Sequence, residues 1–207
     1  PYYLLKRFIE YYYERPLSEL TQQHFYEHLG ANHLGYLPTE KFPLDQIAPT
    51  EVDDYWRFNK IQGTVHDQGA AMFGGVGGHA GVFSNANDVA KMMQMYLNKG
   101  RYGGVKYFKP ETIDKFNTCY YCDKEVRRGV GFDKPQLDEV GPTCGCVSMT
   151  SFGHSGFTGT FAWADPEEEI VYIFLSNRTF PFASNRKLIS EDIRTKIQEL
   201  IYESIMY

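Results

Sequence analysis

The 207-residue sequence predicts an α+β fold, on three observations. Apolar residues in the early part of the chain recur at helical spacing. Two runs after residue 160 have the character of strands, and the last segment returns to a helical period. Helices first, then strands, then a closing helix argue for that class.

The elements follow in order. Residues 3–14 place Leu4, Leu5, Phe8, Ile9 and Tyr12 on one helical face. Pro16 opens a second helix at a tolerated first-turn position, and Gly30 closes it near His28-Leu29. From Ala31 to Gln62 the pattern is irregular and contains Pro38, Pro43 and Pro49, which predicts extended loop segments. A glycine-rich stretch, Gly74 to Gly81, runs into Ser84-Asn85-Ala86-Asn87-Asp88, an N-cap region. The helix after it carries Val89, Met92, Met93, Tyr96 and Leu97 on one face and stops at Gly100. Pro110-Glu111-Thr112 opens a short helix ending near Phe116. Phe161 to Ala164 and Ile170 to Ser176 read as strands joined by a hairpin at residues 165–169. The second is a continuous apolar run, as expected when both faces are buried. Residues 188–205 form the closing helix, with Ile189, Ile193, Ile197, Ile201 and Ile205 at i, i+4 spacing.

Composition excludes several function classes. The formal net charge is -5 and the basic residues are scattered, so there is no basic stripe of the kind nucleic acid requires. No apolar run approaches the ~20 residues that span a bilayer, and the first residues lack the charged and apolar regions of a signal peptide. The chain begins directly in an amphipathic helix without an initiator methionine, which reads as a segment of a longer protein.

Several groups admit more than one reading. Cys119-x-x-Cys122 and Cys144-x-Cys146 are two close pairs. They suit a tetrahedral structural zinc site, two disulfides in an exported protein, or unpaired thiols in a loop. His66-Asp67 and His79 read as hydrogen-bonding structural residues, with a metal pair as the other reading. The glycine-rich stretch lacks the Lys-Ser/Thr of a phosphate loop and reads as a structural turn. Met92, Met93 and Met95 read as packing residues. Asp133, Asp138 and Glu139 read as solvated surface. His154, taken alone, is a satisfied strand histidine.

Three blocks in order change that last reading. They are Leu4-Leu5-Lys6-Arg7-Phe8-Ile9-Glu10, then His66-Asp67 with Gly74 to Ser84 and its helix, then Phe152-Gly153-His154-Ser155-Gly156-Phe157-Thr158-Gly159-Thr160 before a hairpin and a final helix. Together they resemble the class C β-lactamase and penicillin-binding-protein family of serine hydrolases, in its cell-wall-recycling, His-x-Gly variant. The resemblance implies the β-lactamase/transpeptidase-like fold, here in part: a helical lobe, about three antiparallel strands and a C-terminal helix. It also implies acyl transfer to a serine and hydrolysis of an amide or ester, on peptidoglycan-derived substrates, with no cofactor. By the same resemblance His154 lines the cleft as a proton-transfer or polar contact. Ser155 and Gly156 lie along the substrate, and the amide of Phe157 is an oxyanion donor.

The family's nucleophile motif, Ser-x-x-Lys, and its Tyr-x-Asn motif would both precede Pro1. The literal Ser-x-x-Lys of this chain, Ser184 to Lys187, follows the strands and is out of order. The expectation is therefore a chain that is inactive alone and partnered by the amino-terminal part of the same protein. Its ligand would be a peptide or glycopeptide, its compartment the bacterial periplasm or cell envelope. An exposed sheet face open to self-association is a further expectation. In domain terms, 1–125 is a mostly helical lobe with long Gly/Pro loops, 126–150 a cysteine-containing variable loop, and 151–207 the strands and closing helix of one incomplete domain. Two rival readings are a non-catalytic glycan- or peptide-binding module and a zinc-stabilised interaction domain built on the four cysteines.

Overall fold

A computed structural model of the protein describes residues 1–136 and 141–205. Asp138 and Glu139 lie outside the described residues. The chain divides into two compact units, one of Pro1–Asp88 with Asn177–Asn185, the other of Val89–Ser176 with Arg186–Tyr207.

In the first unit, helix α1 spans Tyr2–Tyr13 and α2 spans Leu17–Thr21. Glu10 joins them: it pairs with Lys6 at 3.6 Å and accepts the Leu17 amide at 3.0 Å. The periodicity located α1, but its apolar face is not covered. Leu4 is 77% exposed and Phe8 62%, while Lys6 is the buried residue of the helix. The second helix is shorter than its sequence pattern. Where the Thr21 hydroxyl donates to the Leu17 and Ser18 carbonyls, the α-helical ladder gives way to a π-helical turn over Gln22–Tyr26.

The irregular region holds a hairpin that the pattern did not reveal, β1 (Glu51–Asp53) against β2 (Asn59–Ile61). Asp53 is buried and shapes the turn by accepting from the amides of Tyr55, Trp56 and Arg57. Burial pushes its carboxyl up, but those amide donors and the Arg57 guanidinium outweigh it and hold the carboxyl below the usual range. Asp67 caps α3 (Gln68–Met72) through the Ala70 amide. The glycine-rich stretch then packs against the start of α1, where a side chain on Gly78 would come within 2.7 Å of the Tyr2 carbonyl.

Helix α4 (Ala86–Leu97) begins as its sequence implies, with the Asn85 side chain accepting from the Asp88 amide. In the second unit its Val89, Met93, Tyr96 and Leu97 pack with Phe132, Phe152 and Ala164. Strands β3 (Arg101–Tyr102) and β4 (Val105–Lys106) form a two-residue hairpin at Gly103-Gly104, both at positive φ. Helix α5 spans Pro110–Asn117 with proline in its first turn.

Strands β5 (Phe152–Ser155), β6 (Phe161–Asp165) and β7 (Ile170–Phe174) form an antiparallel sheet in that order. The central strand β6 is the buried one, with Phe161, Trp163, Ala164 and Asp165 enclosed. The apolar run of β7 does not mean burial on both faces. Only Tyr172 is buried, because β7 is an outer strand. The closing helix breaks into α6 (Lys187–Ser190) and α7 (Ile193–Ile205) at Asp192, which has positive φ. The isoleucine row is covered only in part, with Ile201 packed against the Phe161, Trp163 and Tyr172 cluster. Ile189, Ile197 and Ile205 are exposed, whereas Gln198 and Tyr202, one position round, are enclosed.

Candidate active site

The His154 motif sits on β5, in register with β6: Gly153 lies opposite Trp163 and His154 opposite Ala162. Phe152 enters the core beside Met93 and Ala164, and burial ends within two residues, leaving the His154 side chain half exposed. Gly153 is required by its neighbour. A Cβ there would lie 2.2 Å from the Ala162 carbonyl and 2.4 Å from the Trp163 ring. Gly156 opens the turn to β6, donating its amide to Thr160, and a Cβ on it would meet the Thr160 hydroxyl at 2.2 Å. Ser155 ends the strand half-buried, and Phe157 stands exposed in the turn.

Asp133 is not solvated surface. It pairs with Gly153 through both backbone groups, at 2.8 and 3.2 Å, and so extends the sheet beyond β5. Its carboxylate forms a 2.6 Å ion pair with Arg128 and stands 3.8 Å from Nε2 of His154. Arg128 Nη2 is 3.4 Å from the same nitrogen, and His154 Nδ1 is 2.7 Å from the Ser155 carbonyl. By sequence Asp133 reads as solvated surface, and Arg128 is not singled out. Both lie upstream of His154, Arg128 by 26 residues, in a segment without periodicity, and the sheet pairing brings them to the histidine.

Lys134 follows in the same segment, buried, and donates to the Thr150 carbonyl at 2.8 Å and to Asn117 at 3.2 Å. Burial, helped by the nearby Arg127 charge, lowers its ammonium to about 8. The folded state therefore releases a proton that the unfolded chain keeps up to its ordinary value near 10.4. Between those values the unfolded state binds more protons, so stability from this group rises with pH. Denaturant unfolding at pH 7.5 and pH 10 should show that rise in the wild type and its loss in Lys134→Met. An equal pH response in both proteins would refute the assignment.

The four cysteines do not form a zinc site. Cys119 is bonded to Cys122 and Cys144 to Cys146, so no thiolate is left to ligate a metal. Two disulfides are the one of the three alternatives that the structure contains. Among the described residues no group of three or more His, Cys, Asp or Glu converges for a metal. His66 instead bonds Glu51 at 2.6 Å, and His79 bonds Asp67 at 2.9 Å. Burial raises and the Ala70 amide and His79 lower the Asp67 carboxyl, with a net depression. A chelator should accordingly leave the melting temperature unchanged, while a reductant should lower stability by about 2 kcal/mol per bridge. Unfolding by chelator would contradict the pairing.

The sheet, its His-x-Gly edge strand and the flanking helices define a β-lactamase/transpeptidase-like fold, present in part. The family model described as Beta-lactamase matches residues 2–193, and the chain belongs to that family. Curated relatives include a protein named "Putative D-alanyl-D-alanine carboxypeptidase" from Escherichia coli (strain K12). It is 35% identical over 190 residues, an alignment covering 86% of this chain and 43% of that protein. One of the same name from Salmonella agona (strain SL483) is 34% identical over 200 residues, covering 90% and 46%. The chain thus spans less than half the length of these relatives. Among solved structures, simvastatin synthase from Aspergillus terreus superposes with a TM-score of 0.68 at 13% identity, over 96% of this chain and 53% of that one. A penicillin-binding protein homologue from Caulobacter crescentus gives 0.58 at 18% identity, over 83% and 49%. At such identities these two show the fold alone.

Proposed function

We propose that the chain is the C-terminal part of an acyl-transferring serine hydrolase that cleaves amide or ester bonds in peptidoglycan-derived peptides. The D-alanyl-D-alanine terminus named for the curated relatives is the favoured substrate class. The observation that carries this reading is His154, half exposed on the edge strand of a sheet inside a family match over residues 2–193.

A serine hydroxyl is a weak nucleophile until a neighbouring base takes its proton, and the tetrahedral oxyanion needs fixed donors. In this proposal His154 moves a proton or holds a polar substrate group, Ser155 and Gly156 lie along the substrate, and the Phe157 amide is an oxyanion donor. The serine, its lysine and the Tyr-x-Asn tyrosine come from polypeptide outside this sequence. The literal Ser-x-x-Lys does not supply them, since Ser184 lies in a turn and Lys187 begins α6. The 207-residue chain alone is then inactive. The apolar face of α1 is the surface proposed to receive the amino-terminal part, with self-association through this face or the sheet as the competing outcome. Two disulfides favour an oxidising compartment, the periplasm or cell envelope. No helix among the described residues is long and apolar enough to cross a membrane.

A penicillin-type acyl probe tests the proposal. It should leave the 207-residue chain unlabelled and should acylate a serine in a longer protein whose upstream sequence carries Ser-x-x-Lys and Tyr-x-Asn. A serine adduct on the short chain would overturn its inactivity. An upstream sequence lacking both motifs, with no labelling of the longer protein, would favour the binding-module reading instead.

A further inference from the structure

The proposed hydrolase reading leaves open which nitrogen of His154 is available and what holds the ring. The Ser155 carbonyl, 2.7 Å from Nδ1, can only accept a hydrogen bond, so Nδ1 carries the proton. In the neutral ring Nε2 then holds a lone pair. The group facing that lone pair is Arg128 Nη2 at 3.4 Å, a permanent donor, and Arg128 is itself held by Asp133 Oδ1 at 2.6 Å. The second oxygen of Asp133 stands 3.8 Å from Nε2.

We propose that Arg128 and Asp133 are positioning residues that, together with the Ser155 carbonyl, hold His154 as its Nδ1–H tautomer and keep Nε2 as its proton-accepting atom. This rests on His154 being the site's histidine, as argued above. While the ring is neutral, Arg128 donates to Nε2 and keeps it an acceptor. For Nε2 to take a proton the guanidinium must first swing off its lone pair, after which the nearby Asp133 oxygen becomes the acceptor for the new N–H. The pair therefore serves both protonation states of one nitrogen with a small side-chain movement.

The backbone makes such a device rigid. Asp133 is paired to Gly153 on both of its backbone groups, and the tight turn before it is closed by the Gly129 amide on the Phe132 carbonyl at 2.9 Å. Its chain neighbours are anchored as well, Phe132 against Phe152 with ring centroids 5.2 Å apart and Lys134 on the Thr150 carbonyl. Asp133 thus projects from backbone anchored on both sides, the kind of support a preorganised site requires.

Long-range proton–nitrogen correlation spectra of the ¹⁵N-labelled 207-residue chain test the proposal directly. The His154 signals are identified by their loss in His154→Gln, and spectra are taken at alkaline pH, where imidazoles are neutral. The wild type should show a protonated Nδ1 and a bare Nε2. Arg128→Gln and Asp133→Asn leave the Ser155 carbonyl in place, so each should weaken that signature by adding a measurable Nε2–H population, whereas Val130→Ala in the same segment should keep it. An Nε2–H tautomer in the wild type would overturn the proposal, as would a signature unchanged in both variants. Arg128 is half exposed, so its variant tests the contact with little risk to folding. No turnover is needed: a wrong tautomer removes the positioning role and leaves the hydrolase reading intact, while an unlabelled longer protein does the reverse.

Discussion

Replacing Gly153 by alanine should destabilise the sheet-bearing unit by about 3 kcal/mol, the upper part of the range for overpacking a close-packed interior. At this chain length that corresponds to a fall in melting temperature of roughly 6–12 °C. The cause is steric rather than conformational, since Gly153 is absent from the residues at positive φ. An added Cβ would meet the Ala162 carbonyl at 2.2 Å, Trp163 Cε3 at 2.4 Å and Trp163 Cα at 2.8 Å. Two of those three atoms are backbone of the paired strand, and the third belongs to a ring that is 1% exposed and stacked on Phe161. Relief therefore demands that β5 and β6 move apart, which would also disturb the Asp133 pairing on the other edge of β5. Gly145→Ala, with open space around its added carbon, is the control and should melt within a degree or two of wild type. Thermal unfolding followed by circular dichroism decides it; a Gly153→Ala protein that melts like the control would sink the steric account.

Asp165→Ala should cost about 3–4 kcal/mol, because it strands several buried donors at once. Asp165 ends β6 with no exposed surface and accepts from the Ser148 amide at 2.8 Å, the Ser148 hydroxyl, the Glu167 amide at 3.1 Å and the Tyr202 hydroxyl at 2.6 Å. One carboxylate thereby ties the segment before β5, the β6–β7 hairpin and α7 to a single point. Burial pushes the Asp165 carboxyl up, but the hydroxyls of Ser148 and Tyr202 and the two amides outweigh it and hold it below the ordinary carboxylate value. Burial and the same contact push the Tyr202 phenol up. With the folded pKa depressed, the stabilisation is complete above the unfolded value near 3.9 and is lost as pH falls through the folded one. Urea unfolding between pH 3 and 7 should show an acid-side loss in the wild type that is reduced in Asp165→Asn. Tyr202→Phe, which removes one donor, should cost only about 1–2 kcal/mol. An acid response identical in wild type and Asp165→Asn would remove Asp165 from the account.

Much of the local structure was legible in the chain. The capping region Ser84 to Asp88, the spacing of Val89, Met92, Met93, Tyr96 and Leu97, and the stop at Gly100 placed α4 in the sequence; the structure selects Asn85 as the residue that accepts from the Asp88 amide. The β-rich runs placed β6 and β7, and the His154 block placed the edge strand. The Gly103-Gly104 hairpin carried a usable signal too, since paired glycines suit a two-residue turn. The three-residue strands at 51–53 and 59–61 are too short for an alternating pattern to emerge.

Periodicity failed where burial depends on a partner. In α7 the isoleucine row was the apolar face, yet Ile197 and Ile205 stay exposed, and Ile201 shares the sheet side with Gln198 and Tyr202, which satisfy the Cys144 amide and Asp165. In α1 the apolar face was read correctly and still stands open. A pattern of side chains reports what a face is made of, not whether another element meets it.

The order of the three blocks was enough to indicate the family and the fold class, and to single out His154 as the candidate, because each is a property of residue types at short spacing along one segment. The tertiary structure decided how the four cysteines pair, that Asp133 and Arg128 stand beside His154, and which side of the last helix is enclosed. Those are relations between residues distant in the chain: Asp133 reaches Gly153 only through a backbone pairing twenty residues away, and no local pattern encodes such a contact.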